Sequence, residues 1–184
     1  MGTNTAAAAA ADASAQTAAA AADPGALTGL FREVMAGVCS PVSVVTAMTG
    51  DRPHGSTVSA FASLSLVPPM VLISLDQRSY LLTMIRDTGR FGVNVLGSHQ
   101  AGLALTFAGK GADKFAGVPW QLDQNLPRLL GAPGWLACRA ADFVIGGDHV
   151  IVLGEVTAAE TTTAAPPLTY HRREFGTHST SPAD

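Results

Sequence analysis

Charge is scarce in this sequence, and the positive charge that it has is not clustered. Only 11 of the 184 residues are Lys or Arg, against 14 acidic residues, which gives a formal net charge of −3. The longest basic run is the pair Arg172 and Arg173. Nucleic acids and anionic membranes attract proteins through basic patches. We therefore expect neither a nucleic acid nor a membrane as a partner.

Cysteine and long apolar runs are also lacking. Cys39 and Cys138 lie about a hundred residues apart with no metal-ligand spacing around either, which excludes a disulfide framework and a zinc site. We expect two reduced, small core residues, with a single long-range disulfide as the alternative. No run approaches the ~18 apolar residues of a membrane span, and the N-terminus lacks the basic and apolar regions of a secretory signal. The prediction is a cytoplasmic protein without a metal.

The chain divides into three segments by composition. Residues 1–22 are almost wholly small and polar, with long alanine runs, and we expect a disordered arm because nothing large is there to bury. Residues 23–176 are predicted to form the one folded domain, which is a usual domain size. Residues 177–184 turn polar again and are expected to be a flexible tail.

Helical signals mark three places, starting at Pro24, Tyr80 and Gln100. In the first helix, Asp23 is placed to cap and the apolar residues of 27–38 recur at helical spacing, which predicts one stripe facing a core. The second is predicted over Tyr80–Thr88, with Ser79 as its cap and Gly89 as its end. The third is expected over Gln100–Ala108.

Strand-like segments outnumber helices. They are β-branched or alternating runs bounded by turn residues: Val42–Met48, His54–Ser63, Met70–Leu75, Phe91–Leu96, Trp135–Ile145 and His149–Thr157. Between the last two, the sequence Gly146-Gly147-Asp148 is a tight hairpin signal, whereas Gly109–Pro119 is expected to be a loop. Strands that follow one another through short turns favour an antiparallel β-barrel with a few covering helices over a doubly wound sheet.

Common catalytic motifs are missing, among them GxGxxG after a strand, P-loop spacing, HExxH and GxSxG, so three less specific segments are the candidates for a site. His54–Phe61 combines small residues with hydroxyls, so a flat ligand could approach its backbone; otherwise it is an ordinary edge strand. The loop Phe107–Phe115 places Lys110 and Lys114 beside two phenylalanines. This loop could bind a phosphate, or it could be an ordinary exposed turn.

His149 follows a tight turn. It could contact a ligand, or it could be a packed or surface residue.

Taken in order, these segments resemble the flavin reductases of two-component monooxygenases. The resemblance rests on eight short motifs: Pro41–Thr46, Gly55–Phe61, Ser63–Pro69, Phe91–Leu96, Phe107–Phe115, Gly147–His149, Gly154–Val156 and Leu168–Tyr170. It spans about Leu27 to Gly176 and is nearest to the reductases that serve aromatic-polyketide and phenol hydroxylases. The family usually has Gly where this chain has Pro41, which fixes φ and removes an N–H.

The resemblance implies a fold and an activity. The expected fold is a Greek-key split β-barrel that assembles as a homodimer. The expected reaction is reduction of FMN or FAD by NADH or NADPH, with the reduced flavin passing to a separate monooxygenase and the flavin acting as a substrate or a loosely bound cofactor. Alternatives on the same barrel are a flavin carrier without catalysis and an enzyme like pyridoxamine-phosphate oxidase.

Residue by residue, the resemblance also implies a site. The flavin ring would be lined by Thr57, Val58, Ser59, Ala60 and Phe61. Ser79 would bind a phosphate at a helix N-terminus, and His149 would place the nicotinamide as the one catalytic candidate. The other cofactor-binding candidates are Thr46, Gly55, Ser56, Asn94, Phe107, Gly109, Lys110, Lys114, Phe115 and Tyr170, with the two lysines supplying positive charge to phosphates.

Overall fold

The structure, a computed structural model, describes residues 24–111, 113–162 and 165–179. The helices in these ranges are α1 (Pro24–Ala36), α2 (Tyr80–Thr88) and α3 (Ala101–Ala108), the last preceded by a 3₁₀ turn at Ser98–Gln100. The predicted bounds of α2 are confirmed: Gly89 closes it at φ 66° and donates its N–H to the Ile85 carbonyl at 2.8 Å. The predictions for residues 1–22 and for Asp23 lie outside the described residues.

The strands of the described ranges form three sheets. They are β1 (Ser40–Pro41), β2 (Ser43–Thr49), β3 (Arg52–Val58), β4 (Phe61–Leu66), β5 (Pro69–Asp76), β6 (Arg90–Val95), β7 (Trp120–Asp123), β8 (Leu126–Leu129), β9 (Gly134–Gly146), β10 (His149–Thr161), β11 (Leu168–His171) and β12 (Glu174–Thr177). The largest sheet has the order β3-β2-β6-β9-β10-β5-β4, and all its pairs are antiparallel. The expected mainly β, antiparallel architecture is confirmed.

A two-residue link forces this sheet to curl. Strands β3 and β4 lie at opposite edges of the sheet, yet only Ser59 and Ala60 separate them in the chain. In a flat sheet, six inter-strand spacings would put these edges roughly 29 Å apart, whereas the three residue steps from Val58 to Phe61 span at most about 11 Å. The sheet must therefore bend until its two edges approach each other at this link, which makes it a barrel.

The single strand predicted over His54–Ser63 is wrong, because these residues belong to both edges of the sheet. The chain leaves the first edge strand after Val58, and the Phe61 N–H turns back to the Ser59 carbonyl at 3.0 Å. The Ala60 carbonyl accepts the N–H of Ser74, on β5, at 3.0 Å. The sequence does not indicate where the chain passes from one edge to the other, because residues 55–60 are all small and the hydrophobic pattern does not change there.

Three apolar clusters hold the barrel together with α2 and α3, the smallest of them around Trp135. The largest fills the space between the strands and includes the buried face of α2, namely Leu81, Leu82, Met84 and Ile85. The second lies under α3 and includes Val44, Phe107 and Phe115. Burial of a large apolar side chain stabilises a fold by about 1.5–3 kcal/mol, so α2 is held mainly by its packing.

Several short strands escape the sequence patterns. The hairpin β7–β8 and the sheet of β1, β11 and β12 fall where no strand was expected. Pro41 pairs with Thr169 in β1, at an edge of that small sheet, a position where a missing N–H is tolerated. Thr177 ends β12 and donates its hydroxyl to the Pro167 carbonyl at 2.9 Å. The flexible tail expected over 177–184 stays a prediction.

The chain separates into two units by its contacts: residues up to Cys39 together with His171–Arg173, and Ser40–Tyr170 together with residues from Glu174 onward. In the first unit, the Arg172 N–H donates to the Ala36 carbonyl at 2.7 Å and the Arg173 guanidinium pairs with Glu33.

The apolar side chains of α1 are exposed, whereas the sequence predicted a stripe that faces a core. Phe31 is 62% exposed and Val34 is 70% exposed. The helical spacing was predicted correctly, but spacing alone does not say what covers an apolar face.

The two cysteines are both free thiols, and no disulfide joins them. Cys138 is buried, and this burial raises the pKa of its thiol to about 12. Cys39 is exposed, so the expectation of two core cysteines is correct only for Cys138. Among the helices of the described ranges, none combines the length and apolar character that crossing a membrane requires.

Substitution Gly92→Ala tests how tightly the barrel is packed. A Cβ at Gly92 would lie 2.2 Å from Cη2 of the buried Trp135 and 2.8 Å from Oγ1 of Thr46. We expect the variant to lose about 3 kcal/mol of unfolding free energy through overpacking, measured by urea denaturation. Gly102→Ala is the matched control, because nothing lies within 4 Å of its Cβ and Ala favours the helix. Equal stabilities of the two variants would contradict this packing.

Candidate functional site

A cavity of about 270 Å³ opens where the two edges of the barrel meet. We call it the junction cavity. It is lined by Ser56, Thr57, Val58, Ser59, Ala60, Ser74, Leu75, Asp76, Ser79 and His149. These residues come from β3, the link to β4, the end of β5, the start of α2 and the start of β10. Seven of the residues predicted for the site therefore lie together here: Ser56, Thr57, Val58, Ser59, Ala60, Ser79 and His149.

Backbone groups of β3 are available at this cavity, because β3 is an edge strand. The Lys114 ammonium donates to the Gly55 carbonyl at 3.2 Å, so this carbonyl points away from the neighbouring strand β2. Backbone direction alternates along a strand, which places the N–H and carbonyl of Thr57 on the same open edge. An edge strand presents such groups to any partner that can hydrogen-bond to them.

The hydroxyls around the junction cavity differ in what they already bind. Thr57 donates its hydroxyl to the Ala104 carbonyl of α3 at 2.6 Å, which ties the edge strand to that helix. Ser79 occupies the N-cap position of α2, as predicted, but its side chain makes no capping hydrogen bond. Its hydroxyl is therefore not used by the helix cap, and Ser79 lines the cavity.

His149 is held in a defined orientation by its neighbour. Gly146 pairs with His149 across the two-residue turn Gly147-Asp148, which confirms the predicted hairpin. His149 Nδ1 lies 2.7 Å from the Asp148 carboxylate, and this hydrogen bond holds the pKa of Asp148 below its ordinary value. An ionised carboxylate only accepts, so Nδ1 carries the proton and Nε2 is the nitrogen left for a ligand.

One carboxylate on the cavity wall is paired with its own cation. Arg78 donates to Asp76 from its backbone N–H at 2.8 Å and from Nη2 at 2.9 Å. These hydrogen bonds hold the pKa of the Asp76 carboxyl well below its usual range. The pair is therefore ionised on both sides and adds little net charge to the cavity.

Comparison with known proteins identifies the same family that the sequence motifs resemble. The model of the flavin reductase like domain matches residues 35–179. The chain belongs to the flavin reductase-like family. It is 44% identical over 146 residues to the reductase component of a 4-nitrophenol 4-monooxygenase/4-nitrocatechol 2-monooxygenase from Rhodococcus opacus, covering 79% of this chain and 78% of that protein. It is 39% identical over 159 residues to an NADH:riboflavin 5'-phosphate oxidoreductase from Streptomyces pristinaespiralis, covering 83% and 90%.

A solved relative supports the fold. The NADH:FAD oxidoreductase of Streptomyces globisporus C-1027, in complex with NAD and FAD fragments, superposes with a TM-score of 0.81 at 31% identity, covering 88% of this chain and 98% of that one. The fold of this flavin reductase is therefore the split barrel of the family, as the resemblance implied, and its function is flavin reduction.

Two predicted flavin contacts lie inside the protein, away from the junction cavity. Thr46 and Asn94 are fully buried. Thr46 donates to the Pro127 carbonyl at 2.7 Å, and the Asn94 side chain donates to Val44 and accepts the Leu129 N–H at 2.8 Å. These bonds join β8 to the barrel wall. Buried polar groups require such partners, so in the described structure both side chains serve the fold.

The remaining predicted contacts also lie outside the cavity lining. Phe107 and Phe115 form a buried edge-to-face pair with ring centroids 5.0 Å apart. Gly109 and Lys110 are exposed. Three others pack elsewhere: Gly55 against Phe107, Phe61 against the larger core cluster, and Tyr170 against Phe175. Their roles in flavin binding stay predictions.

Sequence reasoning missed the contribution of β5 to the cavity, through Ser74, Leu75 and Asp76. Strand β5 reaches the site because it pairs with β10, so that Asp76 lies opposite His149. These strands are more than seventy residues apart in the chain, and no local pattern reports a pairing of that range. The only local signal is the Asp76–Arg78 spacing, which suits a charged turn after a strand.

Lys114 holds backbone in place, in addition to the phosphate role predicted for it. Its ammonium donates to the carbonyls of Gly55 and Phe107, at 3.2 and 2.8 Å, and partial burial lowers its pKa. Lys114→Met removes both bonds, so we expect a loss of about 1–3 kcal/mol in unfolding free energy, measured by urea denaturation.

Lys110→Met is the matched control, because Lys110 is exposed, and its unfolding free energy should stay within about 0.5 kcal/mol of the parent protein. If Lys114→Met kept its stability and lost affinity for FMN but not for riboflavin, the structural role would be contradicted.

Proposed function

We propose that this flavin reductase binds FMN or FAD in the junction cavity, accepts NADH or NADPH beside it, and releases the reduced flavin to a separate monooxygenase. The observation that carries the proposal is the meeting of an open strand edge, a helix N-terminus and an oriented histidine in one cavity. When bound, the nicotinamide and the flavin supply the hydride-transfer chemistry themselves. The protein has to bind and orient them.

The open edge of β3 suits the polar side of a flavin ring. The N–H and carbonyl of Thr57 offer one donor and one acceptor, and Ser59 adds a hydroxyl at the link. Because these groups are held by the barrel and by the Thr57–Ala104 bond, they need little reorganisation when a ligand arrives. Fixed donors of this kind stabilise negative charge on a bound ring.

Ser79 and the start of α2 suit a phosphate. Free N–H groups and the helix dipole favour an anion at a helix N-terminus, and the Ser79 hydroxyl is not used for capping. His149 would place the nicotinamide, since Asp148 fixes its ring and leaves Nε2 available. The ring at β3, the phosphate at Ser79 and the nicotinamide at His149 are the roles that the family resemblance implied for these residues.

Delivery to a monooxygenase is proposed from the relatives. Reductase components of two-component monooxygenases are among them, and a reduced flavin that must leave cannot be held tightly without slowing its release. We therefore propose that the protein holds flavin weakly and transfers it by diffusion.

We also propose a homodimer in the cytoplasm. Apolar side chains of α1 are exposed in the single chain, with Phe31 at 62% and Val34 at 70%, and burial against a second copy would release about 25 cal/mol per Å². Both cysteines are free thiols, which suits a reducing compartment.

A substitution in α1 tests the dimer. Val34→Asp should shift the protein to a monomer in sedimentation equilibrium, because a charge in the interface opposes association. Leu105→Glu, on an exposed leucine of α3, should leave the mass unchanged. A parent protein that sediments as a monomer would refute the dimer.

The activity is tested by the loss of nicotinamide absorbance with purified protein, NADH or NADPH, and added FMN, FAD or riboflavin. We expect rapid oxidation that requires added flavin, and the six combinations give both preferences. Flavin binding without oxidation would support a carrier and contradict the reductase. If the protein neither oxidised the nicotinamide nor bound flavin, the proposed flavin site would be contradicted.

His149→Ala tests the nicotinamide contact in the same assay. Loss of one hydrogen bond predicts about a tenfold lower kcat/KM for the nicotinamide donor, with flavin affinity unchanged. His178→Ala is the control, because His178 is exposed and outside the junction cavity. Unchanged kinetics of His149→Ala would remove His149 from the site.

A further inference from the structure

A second cavity, of about 430 Å³, lies beside the β2–β3 hairpin. We call it the hairpin cavity. Its lining residues are Asp51, Arg52, Pro53, His54, Tyr80, Met84 and Asp113, none of which lines the junction cavity. Its volume is in the range of about 300–1,000 Å³ that is usual for small-molecule sites.

The two cavities follow each other along the same two elements. His54 and Ser56 are two residues apart on β3, a separation of roughly 7 Å. Ser79 lines the junction cavity and the next residue, Tyr80, lines the hairpin cavity. The two cavities are therefore neighbours along β3 and α2, and a ligand with a phosphate at Ser79 would have to reach the hairpin cavity past Tyr80.

The walls of the hairpin cavity suit a flat heteroaromatic ring. His54 and Tyr80 form an edge-to-face pair with centroids 5.1 Å apart and planes at 80°, and Tyr80 is 62% exposed. Burial and the nearby Lys114 lower the pKa of His54, which favours the neutral form of its ring. Met84 adds a polarisable thioether at the base. Aromatic faces and a thioether together favour stacking.

The polar groups of this cavity suit a sugar phosphate. In the described part of the chain Arg52 has no carboxylate partner, whereas Arg78 is paired with Asp76. Arg52 can therefore give its guanidinium to a phosphate, the anion that it matches best. Asp51 and Asp113 supply carboxylates, which accept hydrogen bonds from sugar hydroxyls.

We propose that the hairpin cavity binds the adenosine phosphate end of FAD, so that this reductase prefers FAD to FMN. The order of the groups along β3 and α2 is the covalent order of FAD: ring at Thr57 and Ser59, phosphate at Ser79, adenosine at Tyr80 and His54. The inference rests on the proposed function, because the flavin ring must occupy the junction cavity. NADH carries the same adenosine phosphate group, and the experiment separates the two sources.

The experiment measures the Kd of FAD, FMN and riboflavin by isothermal titration calorimetry on the parent protein and four variants. The parent should bind FAD about tenfold more tightly than FMN. Tyr80→Ala and Arg52→Gln should each bring the Kd of FAD close to that of FMN and leave the Kd of FMN unchanged. Tyr80→Phe keeps the ring and should keep the preference, as should Arg86→Gln, which changes an exposed residue of α2 outside both cavities.

Each other outcome contradicts the inference in a distinct way. Equal affinities of the parent for FAD and FMN would overturn it and leave the proposed function intact. A preference for FAD that survives in Tyr80→Ala and Arg52→Gln would place the adenosine elsewhere. The KM for NADH is measured on the same variants by nicotinamide oxidation. If the variants kept their FAD affinity and this KM rose, the cavity would belong to the nicotinamide donor. Absence of binding by all three flavins would overturn the proposed function itself.

Discussion

The link of Ser59 and Ala60 is the constraint on which the rest of this structure depends. It joins strands at opposite edges of a seven-stranded sheet. Because the link spans at most about 11 Å, the sheet has to curl. Strands β3 and β4 do not pair with each other, so the barrel stays open between them. Backbone groups thus remain open at the place where strands β3, β5 and β10 come together with the start of α2.

The interior is organised to hold that open edge still. Lys114 and the Thr57 hydroxyl tie β3 to the chain around α3 through the carbonyls of Gly55, Phe107 and Ala104. On the other side of the barrel wall, Thr46 and Asn94 bond β8 to β2 and β6. An enzyme whose substrates carry their own redox chemistry needs position above all. Several residues of the family motifs, such as Thr46, Asn94 and Lys114, therefore support the strands that form the cavity and do not line it.

Local signals in the sequence predicted local structure well. The bounds of α2, its end at Gly89 and the turn at Gly147 follow from capping and turn chemistry, which act over a few residues. The pairing of β5 with β10 could not be predicted in this way. Neither could the buried positions of Asn94 and Phe107, because the motifs give residue types and not their distance from the cavity. The exposed face of α1 shows the same limit, since helical spacing identifies a face and not its partner.

We propose that flavin binds at the open edge of β3 beside the link. A crystal structure of the protein soaked with FMN shows directly whether it does. We expect ring density along Thr57–Ala60 and phosphate density at Ser79, with His149 beside the ring. Flavin density in another part of the barrel, with the junction cavity empty, would contradict it.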